Sequence, residues 1–369
     1  MTSLKIIIIS RNCYPTVGPR AHRSTELAKK LVRMGHKVTI YALLGNFNYD
    51  NYSKETGITF KTLGVSKLGV KDNTNYYNRS FLAKGIRRLF SKLLEVPNIE
   101  LIPMVKKALK KECEIDYLIT IAQPHTIHWG AASYISKYNN KIKFWVADCG
   151  DPFMKNPFDS HPIYFAKFEK KWGKLCNHII VPIEEAKKAY YKEFKGKIEI
   201  IPQGFDFEDV KLHDYSPNSK PVFSYSGIVY ENHRDPSLFL DYLSELDYDF
   251  KFIVYTKPNK LFDAYKGKLG SKLEIRSYIP REELLYELSK MDFLINIKNS
   301  SGVQQPSKLI DYALTDRPIL EITSSFLEAS KFNDFINGDY GNKLIIKNIE
   351  NYNIANVAKK FIELYNKSS

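Results

Sequence analysis

The sequence predicts an α/β protein with two domains. Strand signals alternate with helix signals through most of its 369 residues, which is the pattern of parallel sheets covered by helices. A chain of this length exceeds the size at which one hydrophobic core keeps growing, so two cores are expected. Hydrophobic residues at 44% and charged residues at 26% lie close to globular averages, which argues against disorder and fibrous repeats.

The first elements set a plan that the rest of the chain repeats. An apolar strand at 5–10 precedes a helix at 21–34, and Gly35 ends that helix before a second strand at 37–42. Further strands are predicted at 117–121, 144–147, 178–181, 222–226, 250–255, 273–277, 293–297 and 318–322, and further helices at 236–246, 281–290, 306–314 and 354–366.

Two similar halves divide the chain. The first domain is expected over 1–203 and the second over 204–350, whose own pattern starts after the polar stretch 214–220. Residues 351–369 form a C-terminal helix that is expected to pack back on the first domain. Two α/β halves that face one another predict a ligand in the cleft, beyond the carboxyl ends of the strands.

The charge of the chain is positive and unevenly distributed. The net charge is +14, and the segment 61–111 holds twelve Lys or Arg residues against three acids. Such a surface suits nucleic acid, anionic lipid or a phosphorylated substrate, and charge alone does not choose between them.

Cysteine usage and hydropathy indicate a cytoplasmic protein. The four cysteines form no C-x-x-C pair, so neither a zinc site nor a disulfide framework is expected. No apolar run approaches the roughly 18 residues of a membrane span. The sequence passes at Lys5 directly into a short apolar strand, so no export signal is expected.

A polar stretch that opens a helix in the second half is the strongest candidate for a ligand site. Pro306 at the first helical position leaves the amides of Ser307 and Lys308 free, and a helix start of this kind suits a diphosphate. Asp311 lies one turn further on the same side as Lys308, where its carboxylate can accept hydrogen bonds from ribose hydroxyls. The alternative is a plain amphipathic helix whose Lys and Asp form a solvated pair.

The residues around this helix resemble a known family. The stretch PSKLIDYALTDRPIL resembles the nucleotide-sugar motif of family 4 glycosyltransferases, in which a P-x-K-x-x-E-Y helix precedes a G-x-P-V strand. Three more stretches resemble family landmarks in the same order: CYPTVGPRAHRSTELAKKLVRMGHKVTIY, IEIIPQGFD and FSYSGIVYENHRDPSLFLDYL. The resemblance covers nearly the whole chain and implies the GT-B fold, in which two Rossmann-like domains face each other across a cleft.

The resemblance also implies an activity and a substrate class. It implies a metal-independent glycosyltransferase, of the hexosyltransferase type and retaining, that needs no cofactor besides a nucleotide-sugar co-substrate of the UDP or GDP type. The implied acceptor is a glycan or a lipid-linked glycan of bacterial surface polysaccharide synthesis, as in capsule or lipopolysaccharide. The implied donor-binding residues are Gly18, Gly227, Arg234, Gln305, Ser307, Lys308 and Asp311.

The chain departs from the family pattern at the donor helix. Retaining members usually carry two glutamates seven residues apart, and if Asp311 stands for the second then Val303 occupies the first place. Gln304 or Gln305 is the nearest substitute. Asp316 stands where glycine is usual.

The first half supplies candidates for the acceptor side and for catalysis. Gly18 permits close backbone approach to a ligand, and Arg20 and Arg23 stand at the start of the next helix as acceptor-binding candidates. The alternative is that Gly18 makes a turn and Arg23 is a solvated helix residue. Three side chains at strand ends are candidates for the acid/base or orienting group: Asp148, Asp151 and His125. The two aspartates are favoured over the histidine, although each equally suits a helix or turn cap.

An amphipathic helix at 79–95 is predicted within the basic segment. Its apolar face carries Leu82, Ile86, Leu89, Phe90 and Leu93, and its basic face carries Lys84, Arg87, Arg88 and Lys92. Such a helix can lie on an anionic membrane, which would make the protein peripheral on the inner membrane face. It can equally pack its apolar face on its own domain.

Two other functions compete with sugar transfer to an acceptor. A sugar-nucleotide epimerase or hydrolase of the same fold would need acid/base residues on both sides of the sugar and no acceptor site. A nucleic-acid-binding protein could use the basic segment, but no recognised binding motif or aromatic platform accompanies it, so no nucleic-acid partner is expected.

Overall fold

The computed structural model describes residues 2–68, 81–138, 141–156, 159–208, 210–229, 234–298 and 308–368. The chain divides into two compact units. Unit 1 comprises residues 1–205 together with 351–369, and unit 2 comprises 206–350.

Unit 1 is built on a parallel sheet of seven described strands in the order β3-β2-β1-β4-β5-β6-β7. The strands are β1 (Lys5–Ile9), β2 (Lys37–Ala42), β3 (Thr59–Thr62), β4 (Ile115–Ala122), β5 (Ile142–Cys149), β6 (His178–Val181) and β7 (Ile198–Ile200). The helices are α1 (Pro19–Arg33), α2 (Tyr49–Thr56), α3 (Phe81–Leu94), α4 (Leu101–Lys110), α5 (Thr126–Ile135), α6 (Ala166–Leu175) and α13 (Ile354–Ser368).

Helices cover both faces of this sheet, which explains its uninterrupted apolar strands. In β1, Ile7 and Ile9 join the core that holds α4 and α5, while Ile6 and Ile8 join the core that holds α1 and α13. Successive side chains of a strand point to opposite faces, so a strand with both faces covered is apolar at every position. The helix at the C-terminal end of the chain is therefore part of the core of unit 1.

Unit 2 repeats the plan with five described parallel strands in the order β10-β9-β8-β11-β12. The strands are β8 (Val222–Ser226), β9 (Lys251–Tyr255), β10 (Leu273–Arg276), β11 (Phe293–Ile297) and β12 (Ile319–Ile322). The helices are α7 (Ser237–Glu245), α8 (Lys260–Asp263), α9 (Lys266–Leu269), α10 (Arg281–Leu288), α11 (Lys308–Leu314) and α12 (Ala329–Ile336).

The predicted α/β class and two Rossmann-like sheets are confirmed, with differences in the elements between strands. Helix α1 begins at Pro19, two residues before the predicted start, because a proline fits the first helical position. Helices α2, α4, α5, α6, α8, α9 and α12 and the strand β3 were not predicted from the sequence. Of the described helices, none is both long enough and apolar enough to cross a membrane.

Candidate functional site

Each sheet has a point where its strand order reverses, and ligands of open α/β sheets bind at such a point. In unit 2 the reversal falls between β8 and β11, and in unit 1 it falls between β1 and β4. The carboxyl ends of these strands are therefore the two places where a ligand site is expected.

The end of β8 is shaped for close approach. Gly227 follows this strand with a φ of 140°, in a region that side chains rarely adopt. A Cβ at this position would lie 3.3 Å from the hydroxyl oxygen of Tyr225 and 3.9 Å from Cδ of Lys308. The backbone amide of Ser226 donates to the hydroxyl of Tyr312 at 2.7 Å, which joins the end of β8 to α11.

Lys308 has an unusual environment for a lysine. The residue is partly buried, and its Nζ is fully buried without a hydrogen-bond partner among the described residues. The Nζ lies 4.2 Å from the ring centroid of Tyr225. Burial, and next the positive charge of Arg234, hold the pKa of Lys308 well below its usual range. The charge of Glu321 acts on Lys308 in the opposite direction without restoring its usual pKa. A bound anion would favour the protonated form of Lys308 further.

Asp311 is engaged where the sequence suggested an available carboxylate. Its Oδ1 accepts from Nε of Arg281, at the start of α10, at 2.7 Å. Burial raises the pKa of Asp311 even though the guanidinium opposes that shift. No other hydrogen bond to this carboxylate is present in the described part of the chain, so Oδ2 remains available as an acceptor.

Two polar residues of this site were missed by the sequence reasoning. Glu321 on β12 accepts from Nδ2 of Asn296 on β11 at 2.9 Å and forms an ion pair with Lys298 at 3.3 Å. The Oδ1 of Asn296 is buried without a partner among the described residues. A polar residue inside the apolar strand FLINI was the available signal. The predicted donor residues Gln305 and Ser307, and the departures at 303 and 304, lie outside the described residues.

A D-x-D sequence of unit 2 lies away from this site. Asp247, Tyr248 and Asp249 are exposed and precede β9, at the end of the sheet opposite to the carboxyl ends of the strands. Asp249 pairs there with Lys220 at 3.1 Å.

Unit 1 contains a cavity of about 620 Å³ at its own reversal point. Residues that follow β1, such as Arg11, and residues that follow β4, such as Gln123, contribute to its wall. The first turn of α1 also lines it, with Gly18 as the N-cap and Pro19 at the first helical position. No acidic side chain occupies that first turn. Because the helix start carries partial positive charge, this part of the cavity favours anions.

Arg20 projects its guanidinium over the backbone of Gly150. A Cβ on Gly150 would lie 2.5 Å from Cζ of Arg20, so a side chain at this position would displace the guanidinium from its place. Nη2 of Arg20 donates to Oε1 of Gln203 at 3.4 Å. Burial lowers the pKa of Arg20, and the negative charge of Asp148, which acts in the opposite direction, does not reverse that shift. The structure therefore places this acceptor candidate in the wall of the cavity.

Arg23 and Asp148 do not have the positions expected of ligand-binding residues, and this corrects the sequence interpretation. The two side chains are about 2% and 3% exposed, and Nε of Arg23 lies 2.8 Å from Oδ2 of Asp148. Nη1 of Arg23 also donates to the carbonyl of Pro202 at 2.6 Å. The guanidinium lies over the ring of Phe361 on α13. This ion pair connects α1, β5 and α13 inside the core, so Arg23 faces neither an acceptor nor a membrane.

His125 is the catalytic candidate that the cavity does include. Its Nε2 lies 3.1 Å from the carbonyl oxygen of Asp151, and because a carbonyl only accepts, Nε2 carries the proton. The Nδ1 is then a bare acceptor, and it has no partner among the described residues. Burial lowers the pKa of His125 to about 4, so the ring is neutral at pH 7. Asp151 contributes its backbone here, and its charge acts on Arg20.

His125 also belongs to a group of potential metal ligands with His128 and Cys149, whose ligand atoms lie within 4.8 Å of one another. His128 is already engaged on both sides: its Nδ1 is 2.8 Å from the hydroxyl of Thr120 and its Nε2 is 3.4 Å from Sγ of Cys149. Burial raises the pKa of the Cys149 thiol, which opposes thiolate formation. These contacts describe a hydrogen-bonded core better than a metal site.

Glu169 on α6 is a buried acid that the sequence reasoning missed. Its Oε2 accepts from the amide of Met154, in the loop after β5, at 3.1 Å. Its Oε1 has no partner among the described residues, and burial raises the pKa of the carboxyl to about 7. This residue supports the loop that carries Asp151 and lies beside the cavity without lining it.

Helix α3 confirms the predicted helix and contributes to the cavity. Arg88, Ser91 and Lys92 line the wall. The side chains of Lys84 and Arg87, and those of Leu82 and Ile86, lie outside the described residues.

The apolar residues at the end of α3 are not covered by unit 1. The six members of this apolar patch are between 40% and 88% exposed: Leu89, Phe90, Leu93, Leu94, Ile163 and Tyr164. The hydroxyl of Tyr164 donates to the carbonyl of Leu93, which makes the patch continuous. The alternative in which this helix packs its apolar face on its own domain is not observed for these residues.

Two Rossmann-like units, each with a strand-order reversal in its parallel sheet, place the protein in the GT-B fold class. No known protein-family profile and no curated protein sequence matches the chain. Among solved structures, a glycosyltransferase from Rickettsia africae ESF-5 matches with a TM-score of 0.62 and 14% identity over 100% of this chain and 99% of that one.

Two further solved structures show the same fold similarity. HepE of Anabaena in complex with UDP has a TM-score of 0.64 and 9% identity over 99% of this chain and 100% of that one. The lipopolysaccharide outer core galactosyltransferase WaaB in its apo form has a TM-score of 0.58 and 11% identity over 99% of this chain and 100% of that one.

Proposed function

We propose that this protein is a glycosyltransferase that moves a sugar from a nucleoside diphosphate sugar to an acceptor hydroxyl. The observation that carries the proposal is the buried ammonium of Lys308, which lacks a hydrogen-bond partner among the described residues and lies beside Arg234 at the carboxyl end of β8. Keeping such a cation in a protein is unfavourable unless an anion neutralises it during function. The diphosphate of the donor is that anion.

The reaction needs charge stabilisation on the leaving group. The bond between the anomeric carbon and the diphosphate oxygen breaks, and the acceptor oxygen forms the new bond to that carbon. The negative charge that develops on the departing diphosphate is stabilised by Lys308 and Arg234, which act where other enzymes use a divalent cation. Asp311 accepts hydrogen bonds from the ribose through Oδ2, with Arg281 fixing the carboxylate.

His125 orients the acceptor in this proposal. Its Nδ1 is an acceptor without a partner among the described residues and is buried behind the cavity wall, so the ring has to turn toward the cavity for Nδ1 to accept a hydrogen bond from the acceptor hydroxyl and align the oxygen lone pair. Its lowered pKa makes it a weak base, so the hydroxyl proton passes to the departing diphosphate. Attack from the side of the leaving group retains the configuration of the sugar, as the sequence resemblance implies.

The same resemblance supports a more specific proposal for the donor, the product and the location of the enzyme. The donor is a UDP or GDP sugar, the product is a bacterial surface glycan such as capsule or lipopolysaccharide, and the enzyme acts without a metal. HepE was solved with UDP and WaaB is a lipopolysaccharide galactosyltransferase, which supports this direction. The exposed apolar patch beside the cations of α3 supports attachment to an anionic membrane surface.

Calorimetry with a nucleoside, its diphosphate and its diphosphate sugar tests the donor site. Lys308→Ala is expected to weaken the binding of UDP and UDP-glucose, or of GDP and GDP-mannose, by about tenfold to a hundredfold, because a charge-assisted hydrogen bond is worth roughly 1.5 to 3 kcal/mol. The same variant is expected to bind the bare nucleoside as the unaltered protein does. Asp311→Ala is expected to weaken the binding of all three ligands.

Lys220→Ala is the matched control, because this lysine precedes β8 at the opposite end of the sheet. Circular dichroism establishes that each variant is folded. If both site variants bind every ligand as the unaltered protein does, the donor site lies elsewhere and the proposal is wrong.

A further inference from the structure

The cavity of unit 1 holds more positive charge than its own acids neutralise. Arg20, Arg88 and Lys92 line it, and none of the three forms an ion pair within 4 Å of a carboxylate of the described residues, although the charges of Asp148 and Asp151 act on Arg20 from further away. Its lining acids are Glu95 and Asp159. Both lie beside His161, at 3.5 and 3.7 Å from its ring nitrogens, so they contact the histidine instead of the three cations.

The cations come from two separate elements that converge on one space. Arg20 belongs to the first turn of α1, which lines the cavity and receives no side-chain hydrogen bond from its N-cap Gly18, and Arg88 and Lys92 lie one turn apart on α3. Arg11, a fourth cation of the wall, is held by Asn98, which accepts from its Nη1 at 2.8 Å. Cations that approach from different sides of a pocket disfavour each other, and a multivalent anion between them removes that cost.

The wall combines positive charge with neutral polar groups and offers little aromatic surface. Among the described lining residues, Phe153 is the one aromatic residue other than the histidines, and the ring of His161 stacks on it at 3.8 Å between centroids. Neutral polar side chains such as Asn12 and Gln123 accompany the cations, so the wall suits a ligand that carries both hydroxyls and an anionic group.

We infer that the acceptor carries a phosphate ester, and that Arg20, Arg88 and Lys92 together with the start of α1 bind this phosphate in the cavity of unit 1. The inference rests on the proposed function, since it names the acceptor class of that reaction. It places the phosphate close to His125, so the hydroxyl that receives the sugar lies near the phosphate-bearing end of the acceptor.

Pyrophosphate binding in the presence of saturating UDP tests the inference, because UDP occupies the donor site. The unaltered protein is expected to bind pyrophosphate under these conditions, with an affinity that falls as salt rises. Arg88→Ala combined with Lys92→Ala is expected to weaken that binding at least tenfold, and Arg20→Ala is expected to do the same. Lys37→Ala removes an exposed lysine at the start of β2, at the opposite edge of the sheet, and serves as the control.

Separate titrations with UDP distinguish this site from the donor site. The affinity for UDP is expected to be unchanged in the Arg88→Ala, Lys92→Ala variant. If UDP binding weakens together with pyrophosphate binding, or if pyrophosphate binds the variant and the unaltered protein equally, the inference is overturned. A protein that binds pyrophosphate through these cations but binds neither UDP nor GDP would instead refute the proposed donor site.

Competition identifies the source of the phosphate. Glucose 1-phosphate represents a water-soluble phosphosugar, and a polyprenyl phosphate in detergent micelles represents a lipid-linked acceptor. Displacement of pyrophosphate by either competitor supports a phosphate ester and shows which kind is bound. Displacement by neither overturns the inference.

Discussion

The buried ion pair between Arg23 and Asp148 makes a sharp prediction about stability. Asp148→Asn keeps the shape of the side chain but leaves the guanidinium of Arg23 buried without a compensating charge. Removing one partner of a buried pair costs about 3 to 5 kcal/mol. For a unit of this size each kcal/mol lowers the melting temperature by roughly 2 to 4 °C, so a decrease of about 10 °C is expected.

Tryptophan fluorescence measures this effect in unit 1 alone. The three tryptophans of the chain, Trp129, Trp145 and Trp172, all lie in unit 1. Urea unfolding followed by their emission therefore reports the unit that contains the pair. Arg23→Met should cost as much as Asp148→Asn, because it also removes the donor to the carbonyl of Pro202.

The double variant provides the decisive comparison. Arg23→Met with Asp148→Leu removes both charges, so its cost should be clearly smaller than the sum of the single costs. Arg33→Met, on the exposed side of the same helix, is the control for loss of an arginine. If Asp148→Asn leaves the urea midpoint of unfolding unchanged but abolishes sugar transfer, the structural role of the pair is refuted. Asp148 then becomes a catalytic candidate again.

Two more predictions concern the surroundings of the cavity. Because burial raises the pKa of Glu169 from about 4.5 to about 7, the folded state binds its proton more tightly than the unfolded state, so unit 1 should lose stability as the pH rises from about 4.5 to 7. Glu169→Gln keeps an acceptor for the amide of Met154 and should abolish this part of the pH dependence of stability. Urea unfolding at several pH values measures the effect, and an identical pH dependence in the variant contradicts the assignment. Leu89→Ser with Phe90→Ser should weaken flotation with anionic vesicles by about tenfold or more, since each residue would otherwise bury apolar surface. Leu327→Ser, at an 84% exposed leucine of unit 2, is the control, and unchanged flotation of the patch variant would exclude this surface as the membrane contact.

The sequence predicted the sheets better than the segments between them. Strands such as β1 and β11 are short apolar runs bounded by turn residues, and their burial on both faces makes that signal clear. Helix α5 was missed because nearly all of its residues are buried, so it has no polar face and no helical period to detect.

The sequence motifs predicted where candidate residues lie on their helices and strands, but not which other side chains each of them contacts. Lys308 and Gly227 lie at the predicted helix start and strand end, and the fold brings them so close that a Cβ added to Gly227 would lie 3.9 Å from Cδ of Lys308. The partner of Asp311 was not predictable, because Arg281 is 30 residues away and becomes its neighbour only through packing of α10 on α11. The burial of Asp148 likewise depends on α1, β5 and α13 meeting in space.

Because the chain returns to unit 1 after unit 2, the residues of unit 2 can be removed from the gene as one continuous segment. The amide of Phe205 donates to the carbonyl of Tyr352 at 2.8 Å, and the amide of Ile354 donates to the carbonyl of Phe205 at 2.8 Å. The chain thus leaves unit 1 and re-enters it at adjacent points, and residues 206–350 are an insertion between them. A short glycine-serine connection from 205 to 351 can span this gap in place of the insertion, so the proposed binding of phosphate by unit 1 can be studied in a protein of little more than 220 residues.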